Sequence, residues 1–392
     1  MRCSRLEKAS LASRFSSNLR KVDHKAPRLV PLDALRGLII VLMALDHANH
    51  FIAQQHSPGE YWGGPFPVYH SALPFLTRLV THLVAPGFFF LMGAGMVLFA
   101  DSRRKRGWSE WAIVRHFLVR GGLLIALQLL VVNRAWELSP GGWGLDVYVG
   151  VLFALGGTMI LGSLLSWLEP GVLLSLTGAL VMGTELLTPD PSLWNQPLDP
   201  LRRVLLVPGG TPALWVNYPV LPWLGLVTFG VAFGHWLADD ARRAFARALK
   251  LGAAFVLAFT VLRALDGFGN VRPRQGDTWI DLLNVVKYPP SITFILLTTG
   301  VNLMIVGLFG RANEKLWRFL QPLVVFGRVP LFFYLAHLFL YAGLGLWLTP
   351  GGTSIPEMIP YWLLGLLILY PLCLWYGRLK HRQPASSILR LF

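Results

Sequence analysis

The chain has 392 residues, 54% of them hydrophobic and only 14% charged, with 15 tryptophans and a formal net charge of +15. A soluble protein carries about a quarter charged residues, so this composition, with a mean hydropathy of +0.53, excludes an ordinary soluble domain and points to a polytopic helical membrane protein. The positive charge is no nucleic-acid signature, because the basic residues gather in alternate loops, and the two cysteines, Cys3 and Cys373, form neither a disulfide framework nor a metal-ligand pattern.

Residues 1–28 are rich in Ser, Lys and Arg and lack an apolar stretch, which excludes a conventional secretory signal peptide. They read as a disordered, basic cytoplasmic tail; a transit peptide or an early start codon is compatible with the same composition. Beyond them the apolar runs give an all-α bundle of about ten transmembrane helices. These fall near Leu32–Gln54, Phe75–Ala100, Ile113–Asn133, Leu145–Leu168, Gly171–Leu187, Trp215–Leu237, Ala248–Leu265, Tyr288–Phe309, Leu323–Leu348 and Met358–Gly377. Basic loops orient them. Arg103–Arg106, Arg242/Arg243/Arg247, Arg311/Lys315/Arg318 and Arg378/Lys380/Arg382 mark the cytoplasmic side, which puts both termini there. Residues 29–380 therefore read as one membrane domain, with 381–392 a short cytoplasmic tail.

The first span, LDALRGLIIVLMALDHANHFIAQ, carries the strongest functional signal. Ionisable residues inside a span are costly and face a protein interior or a wet cavity. At 100° per residue, Arg36, His47 and His50 share one side, flanked by Asp33 and Asp46, while Leu38, Val41, Leu42 and Leu45 point the other way. In the second span, TRLVTHLVAPGFFFLMGAGM, Arg78 and His82 are neighbours at i, i+4, and Pro86 can kink the helix. Asp46, His47, His82 and Arg78 at one depth read as a reaction centre. Tyr218, beside Pro219, either anchors at the interface or lines a cavity. Lys287 and Tyr288 precede Pro289-Pro290, and Lys287 taken alone reads as a snorkelling residue. In the ninth span Tyr334, His337 and Tyr341 share a face, with Arg328 at the cytoplasmic end.

Six blocks in order, LDALRGLIIVLMALDHANHF, TRLVTHLVAPGFFFLMG, VRGGLLIALQLLVVN, YPVLPWLGLVTFGVAFG, LNVVKYPPSITFILLTTG and VFGRVPLFFYLAHLFL, resemble the bacterial membrane proteins related to the catalytic domain of heparan-α-glucosaminide N-acetyltransferase. The resemblance runs from about Arg28 to Lys380. It implies a transmembrane acyltransferase of a bacterial inner membrane that takes acetyl-CoA or a related acyl-CoA on the cytoplasmic side and acylates a sugar-type or other amine or hydroxyl acceptor on the other. In the eukaryotic members a catalytic His precedes the second helix. Aligned on Pro86, that position falls near Ala72, with His70 close but out of register. His82 matches the bacterial pattern.

Acyl transfer needs a base and an oxyanion stabiliser. The expected catalytic residues are His82 first, held neutral by Arg78, with His47 and with Asp46 orienting an imidazole. Arg36 and Arg328 are expected to hold the phosphates of the acyl-CoA. Arg78, Tyr218, Lys287, Tyr288 and His337 are assigned to the acceptor. No metal is expected. Membrane lipid and a small-molecule or glycan acceptor are the expected partners, nucleic acid is not, and a homodimer stays open. A proton-coupled secondary transporter also needs buried Asp, His and Arg, and a non-catalytic scaffold is the third class.

Overall fold

Apolar sequence becomes helix here until proline, glycine or a buried ionisable residue interrupts it, and the interruptions shape the site. The structure, a computed structural model, describes residues 29–384, 387 and 389. The tail expected at 1–28 lies outside the described residues, as does half of that expected at 381–392.

Among the residues described from Pro31 onward, the regular structure is helical apart from one small sheet. Helix α1 (Val30–Ala48) passes directly into a π turn, Asn49–Ala53. Then follow α2 (Ala72–Thr81), α3 (Val84–Arg104), α4 (Glu110–Leu127) with a second π turn at Gln128–Val132, and α5 (Asn133–Glu137). Next come α6 (Val151–Leu165), α7 (Pro170–Leu186), α8 (Pro200–Leu205), α9 (Val220–Leu265), α10 (Trp279–Leu283) and α11 (Ile292–Phe309). The chain closes with α12 (Glu314–Phe319), α13 (Gln321–Arg328), α14 (Pro330–Leu348) and α15 (Ile355–Arg382). Strands β1 (Tyr148–Val149), β2 (Gly209–Thr211) and β3 (Leu214–Val216) form a sheet in the order β1-β3-β2, in which β1 runs parallel and β2 antiparallel to β3. Among the described residues, 6 helices are long and apolar enough to cross a membrane, while α6 and α7 are apolar but shorter.

Three expected boundaries move. The second predicted span is broken at His82–Leu83 between α2 and α3. Pro86 has no N–H to bond the His82 carbonyl four residues back, and beside the break Asn302 Nδ2 donates to the Leu83 carbonyl at 3.0 Å. The sixth and seventh spans meet within α9, where Asp240 has non-helical φ/ψ of −148° and 99°. The ninth predicted span is two helices, because Pro330 opens α14 after the non-helical Val329.

Helix α9 packs mainly on α3 and α11, and α4 on α6. The approach of α1 to α13 is set by two glycines. A Cβ on Gly37 would lie 1.8 Å from the Leu323 carbonyl oxygen, and one on Gly327 would lie 1.9 Å from that of Asp33. Overpacking costs about 1–3 kcal/mol, and here backbone rather than a flexible side chain would have to yield. Gly37→Ala should therefore lower the melting temperature of the purified protein and loosen this contact, a result that fluorescence-monitored thermal unfolding reads directly.

Candidate active site

Arg78 on α2 organises one half of the site. It is 4% exposed and meets two carboxylates at once. Its Nε and Nη2 donate to Glu60 Oε1 and Oε2, both at 2.7 Å, and its Nη1 donates to Asp46 Oδ1 at 2.9 Å. Thr81 Oγ1 adds a bond to Asp46 Oδ1 at 2.8 Å. His56 closes the cluster. Its Nδ1 donates to the Ser57 carbonyl at 2.8 Å, which leaves Nε2 to accept from Arg78 Nη1 at 2.9 Å. Glu60 is fully buried, in a loop held by its own backbone, since its carbonyl accepts from the amides of Lys287 and Tyr288 at 3.0 Å each. Burial alone would raise its pKa, but the charges of Arg78 and then His82 hold the carboxyl well below the usual carboxylate range.

His82, 1% exposed, sits behind Glu60 with its Nε2 3.4 Å from Oε1 and its ring edge-on to Phe294. Neither ring nitrogen has a hydrogen-bond partner among the described residues. The guanidinium of Arg78 is itself bound by Glu60 and Asp46, so it is Glu60 that faces the imidazole, while the positive charge of Arg78 stays within electrostatic reach of the ring, as expected. The expectation that Asp46 orients an imidazole ring in the catalytic pair is corrected, since Asp46 accepts from Arg78 and Thr81.

His47 takes a different partner. Its Nδ1 lies 2.6 Å from His337 Nε2, with the two rings stacked at 4.9 Å. His337 is fully buried and its Nδ1 lies 2.9 Å from the Phe333 carbonyl oxygen. A carbonyl only accepts, so His337 Nδ1 carries the proton and, in the neutral ring, Nε2 carries a lone pair. His47 Nδ1 must then donate. Its Nε2 is left with a free lone pair on a ring that is partly exposed. One helical turn on, in the π turn, His50 Nε2 is 3.0 Å from Ser139 Oγ. Trp136 stands edge-on to both His47 and His50 and stacks on Trp143 at 4.8 Å.

Opposite these rings, Tyr218 and Tyr288 join hydroxyl to hydroxyl at 3.2 Å. Lys287 is 4% exposed, so it does not snorkel; its Nζ lies 5.1 Å from the Tyr288 ring centroid and 6.0 Å from that of Tyr218. It makes no ion pair among the described residues and is within electrostatic reach of Asp46, His47 and His82. Tyr61 is tied to Asn217 and receives a bond from Trp215 Nε1 at 3.0 Å.

The other end of α1 holds arginines. Arg36 Nη1 donates to Asp33 Oδ1 at 2.9 Å and to the Gly327 carbonyl at 3.1 Å, while Arg328 Nε stands 3.9 Å from Asp33 Oδ2. Arg36 and Arg328 are thus brought together around one carboxylate. Helix rise puts Arg36 about 16 Å from His47. Among the described residues no group of three or more His, Cys, Asp or Glu is placed to hold a metal ion.

The arrangement joins a partly exposed imidazole with a free lone pair, a buried lysine and a separate pole of arginines. Residues 28–265 match the protein family described as heparan-alpha-glucosaminide N-acetyltransferase, catalytic. The chain belongs to that family. It is similar to human heparan-alpha-glucosaminide N-acetyltransferase, 31% identical over 142 residues, which cover 36% of this chain and 19% of the human protein. The mouse protein of the same name is 32% identical over 142 residues, covering 36% of this chain and 20% of its own length. The matched stretch is thus about a fifth of these relatives. The family match includes Arg36, Asp46, His47, Arg78, His82 and Tyr218; Lys287, Tyr288, Arg328 and His337 lie beyond it. This is an integral membrane protein, by its apolar helices and its family together.

Sequence reasoning missed Glu60 and His56, which sit in a loop where nothing periodic marks an inward-facing residue. It also passed over Trp143 and Arg120. Arg120 carried a usable signal, being an ionisable residue inside the third predicted span.

Proposed function

We propose that the protein is a membrane acyltransferase that uses acetyl-CoA or a related acyl-CoA from the cytoplasmic side and acylates an amine or hydroxyl of a sugar-type acceptor at the opposite face. The observation that carries this reading is the unpaired Nε2 of His47, made basic in position by a proton that His337 fixes on the other nitrogen. His47 is our choice of general base over His82, because His47 is partly exposed whereas His82 is enclosed behind Glu60. In the reaction His47 Nε2 accepts the proton of the acceptor O–H or N–H. The imidazolium so formed keeps its Nδ1–H bond to His337 and has the Asp46 carboxylate within electrostatic reach. Lys287 brings positive charge toward the oxygen that becomes anionic. Trp143, which stacks on Trp136 and stands edge-on to His50, offers the aromatic surface against which a sugar ring would pack.

The residues at the arginine pole fit a phosphate-bearing group. Arg36 and Arg328 share one carboxylate, and the Nε of nearby Arg120 is buried without a partner. Acyl-CoA, when bound, supplies a thioester carbonyl activated for transfer. Arg36 and Arg328 would hold its phosphates, about 16 Å from His47.

Purified protein incubated with labelled acyl-CoA should release free CoA, and release should accelerate with a suitable acceptor from a panel of amino sugars and glycans. No acyl-CoA binding and no release with any acceptor would overturn the proposal. Its sidedness makes a separate prediction. With Cys3 and Cys373 replaced, Arg104→Cys should resist a membrane-impermeant thiol reagent in intact cells and react after permeabilisation; labelling in intact cells reverses the orientation.

A further inference from the structure

Helix α4 carries a charge that the membrane segment around it does not explain. Arg120 lies about 15 Å along the helix from Glu110, which is deep for a guanidinium in an apolar span. It has no hydrogen bond or ion pair among the described residues, and its Nε is buried. One turn earlier on the same face, His116 likewise has a buried, unpartnered Nε2. Its ring lies flat on Phe99 at 4.4 Å and 15°. Arg103 covers the other side of this aromatic group, 4.8 Å from the Phe99 centroid and 4.7 Å from that of Trp108.

Arg36 on α1 is within electrostatic reach of Arg120. Arg36 already donates to Asp33, which Arg328 also approaches. Asp101, the next carboxylate along, is taken by Lys105 at 2.7 Å. Among the described residues, Arg36, Arg120 and Arg328 therefore have one carboxylate beside them, that of Asp33. Like charges in a part-buried site repel and lose some of their solvation. Such an arrangement persists where an anion with several oxygens spends part of its time between the guanidiniums, and a phosphate matches their fork geometry.

We infer that Arg120, with His116 one turn away and together with Arg36, forms a phosphate-binding site at the arginine pole, filled by a phosphate of the acyl-CoA. The inference rests on the acyl-CoA reading above and adds α4 to the residues that hold the donor. A lipid headgroup offers the same phosphate chemistry, so the test separates the two sources.

The full-length protein is placed in nanodiscs of phosphatidylcholine alone or with phosphatidylglycerol, and binding of CoA, 3′-dephospho-CoA and pantetheine is measured by calorimetry. Arg120→Gln should weaken CoA about tenfold to a hundredfold and leave pantetheine unchanged; His116→Gln should weaken CoA less, and Arg120→Lys should restore part of the loss. A deficit confined to CoA assigns the 3′-phosphate, and an equal deficit with dephospho-CoA assigns the diphosphate; both support the site. Without ligand Arg120→Gln should melt at or above the wild-type temperature, since an uncompensated charge has gone. Unchanged CoA affinity in Arg120→Gln and His116→Gln, with the wild type binding CoA, overturns this inference while leaving the acyltransferase reading intact. So does a variant whose only change is loss of a phosphatidylglycerol-dependent rise in melting temperature. Failure of the wild type to bind CoA in either nanodisc overturns both.

Discussion

His47→Ala should lower the acyl-transfer rate by about 10²–10⁴, the usual contribution of a positioned general base, with acyl-CoA affinity nearly unchanged. The prediction follows from which nitrogen is free. The Phe333 carbonyl fixes the proton of His337 on Nδ1, the remaining lone pair of His337 takes the Nδ1–H of His47, and His47 Nε2 is left to accept a proton. His337 acts through His47, so its variants should be graded by what they return to that bond. His337→Phe removes the acceptor and frees the His47 tautomer, so the rate should fall and the pH–rate profile should move. His337→Gln can still accept through its side-chain oxygen and should retain more activity. ¹⁵N shifts of the imidazole nitrogens read the His47 tautomer independently of turnover. His82→Ala should act first on stability, because His82 has no exposed edge to present to an acceptor. A folded, thermally unaltered His82→Ala enzyme without turnover, beside an active His47→Ala enzyme, would move the base to the second predicted span.

The sequence made the helices legible because an apolar run of bilayer length has few alternatives to being a helix. It also marked the inward face of α1, since Asp46, His47 and His50 could not all face lipid. Helical angle arithmetic places a residue on a face, but it does not say which other face it meets. His47 and His337 are far apart in the chain, and each was singled out alone; that they share a hydrogen bond is decided by how α14 packs against the π turn after α1. Glu60 shows the opposite limit. A lone acid in a loop rich in Gly and Pro reads as solvated, and only the pairing of that loop with the Lys287–Tyr288 segment buries it. Once Glu60 is in place the role of Arg78 changes from neighbour of His82 to partner of two carboxylates, which no spacing in the second span could reveal.

Glu60→Gln should be the most damaging of the conservative substitutions, destabilising the protein by about 3–5 kcal/mol, the cost of removing one partner from a buried ion pair. The side chain keeps its shape, but its amide oxygen can accept only one of the two bonds from the fork of Arg78, which is 4% exposed, and its N–H₂ turns a donor toward the other. Asp46 and the His56 lone pair remain, and they engage a single nitrogen, Nη1. Arg78→Met should be at least as harmful, since it strands Glu60 and Asp46 together. The double variant Glu60→Gln/Arg78→Met should recover part of that loss, because one of the two stranded carboxylates is gone. The pH dependence has a definite sign. Glu60 is held well below its ordinary value of 4.5 in the fold, so its contribution is fully present above the unfolded pKa and is lost as the pH falls through the lower folded one. The wild-type melting temperature should therefore be nearly flat around neutrality and drop in acid, and Glu60→Gln should start lower and lack this part of the drop. Thermal unfolding of both proteins in detergent from neutral pH to below pH 4 measures it. A Glu60→Gln protein that melts with the wild type across that range would mean that the fork of Arg78 is held by Asp46 alone and that the Glu60 loop is an ornament of the site rather than its anchor.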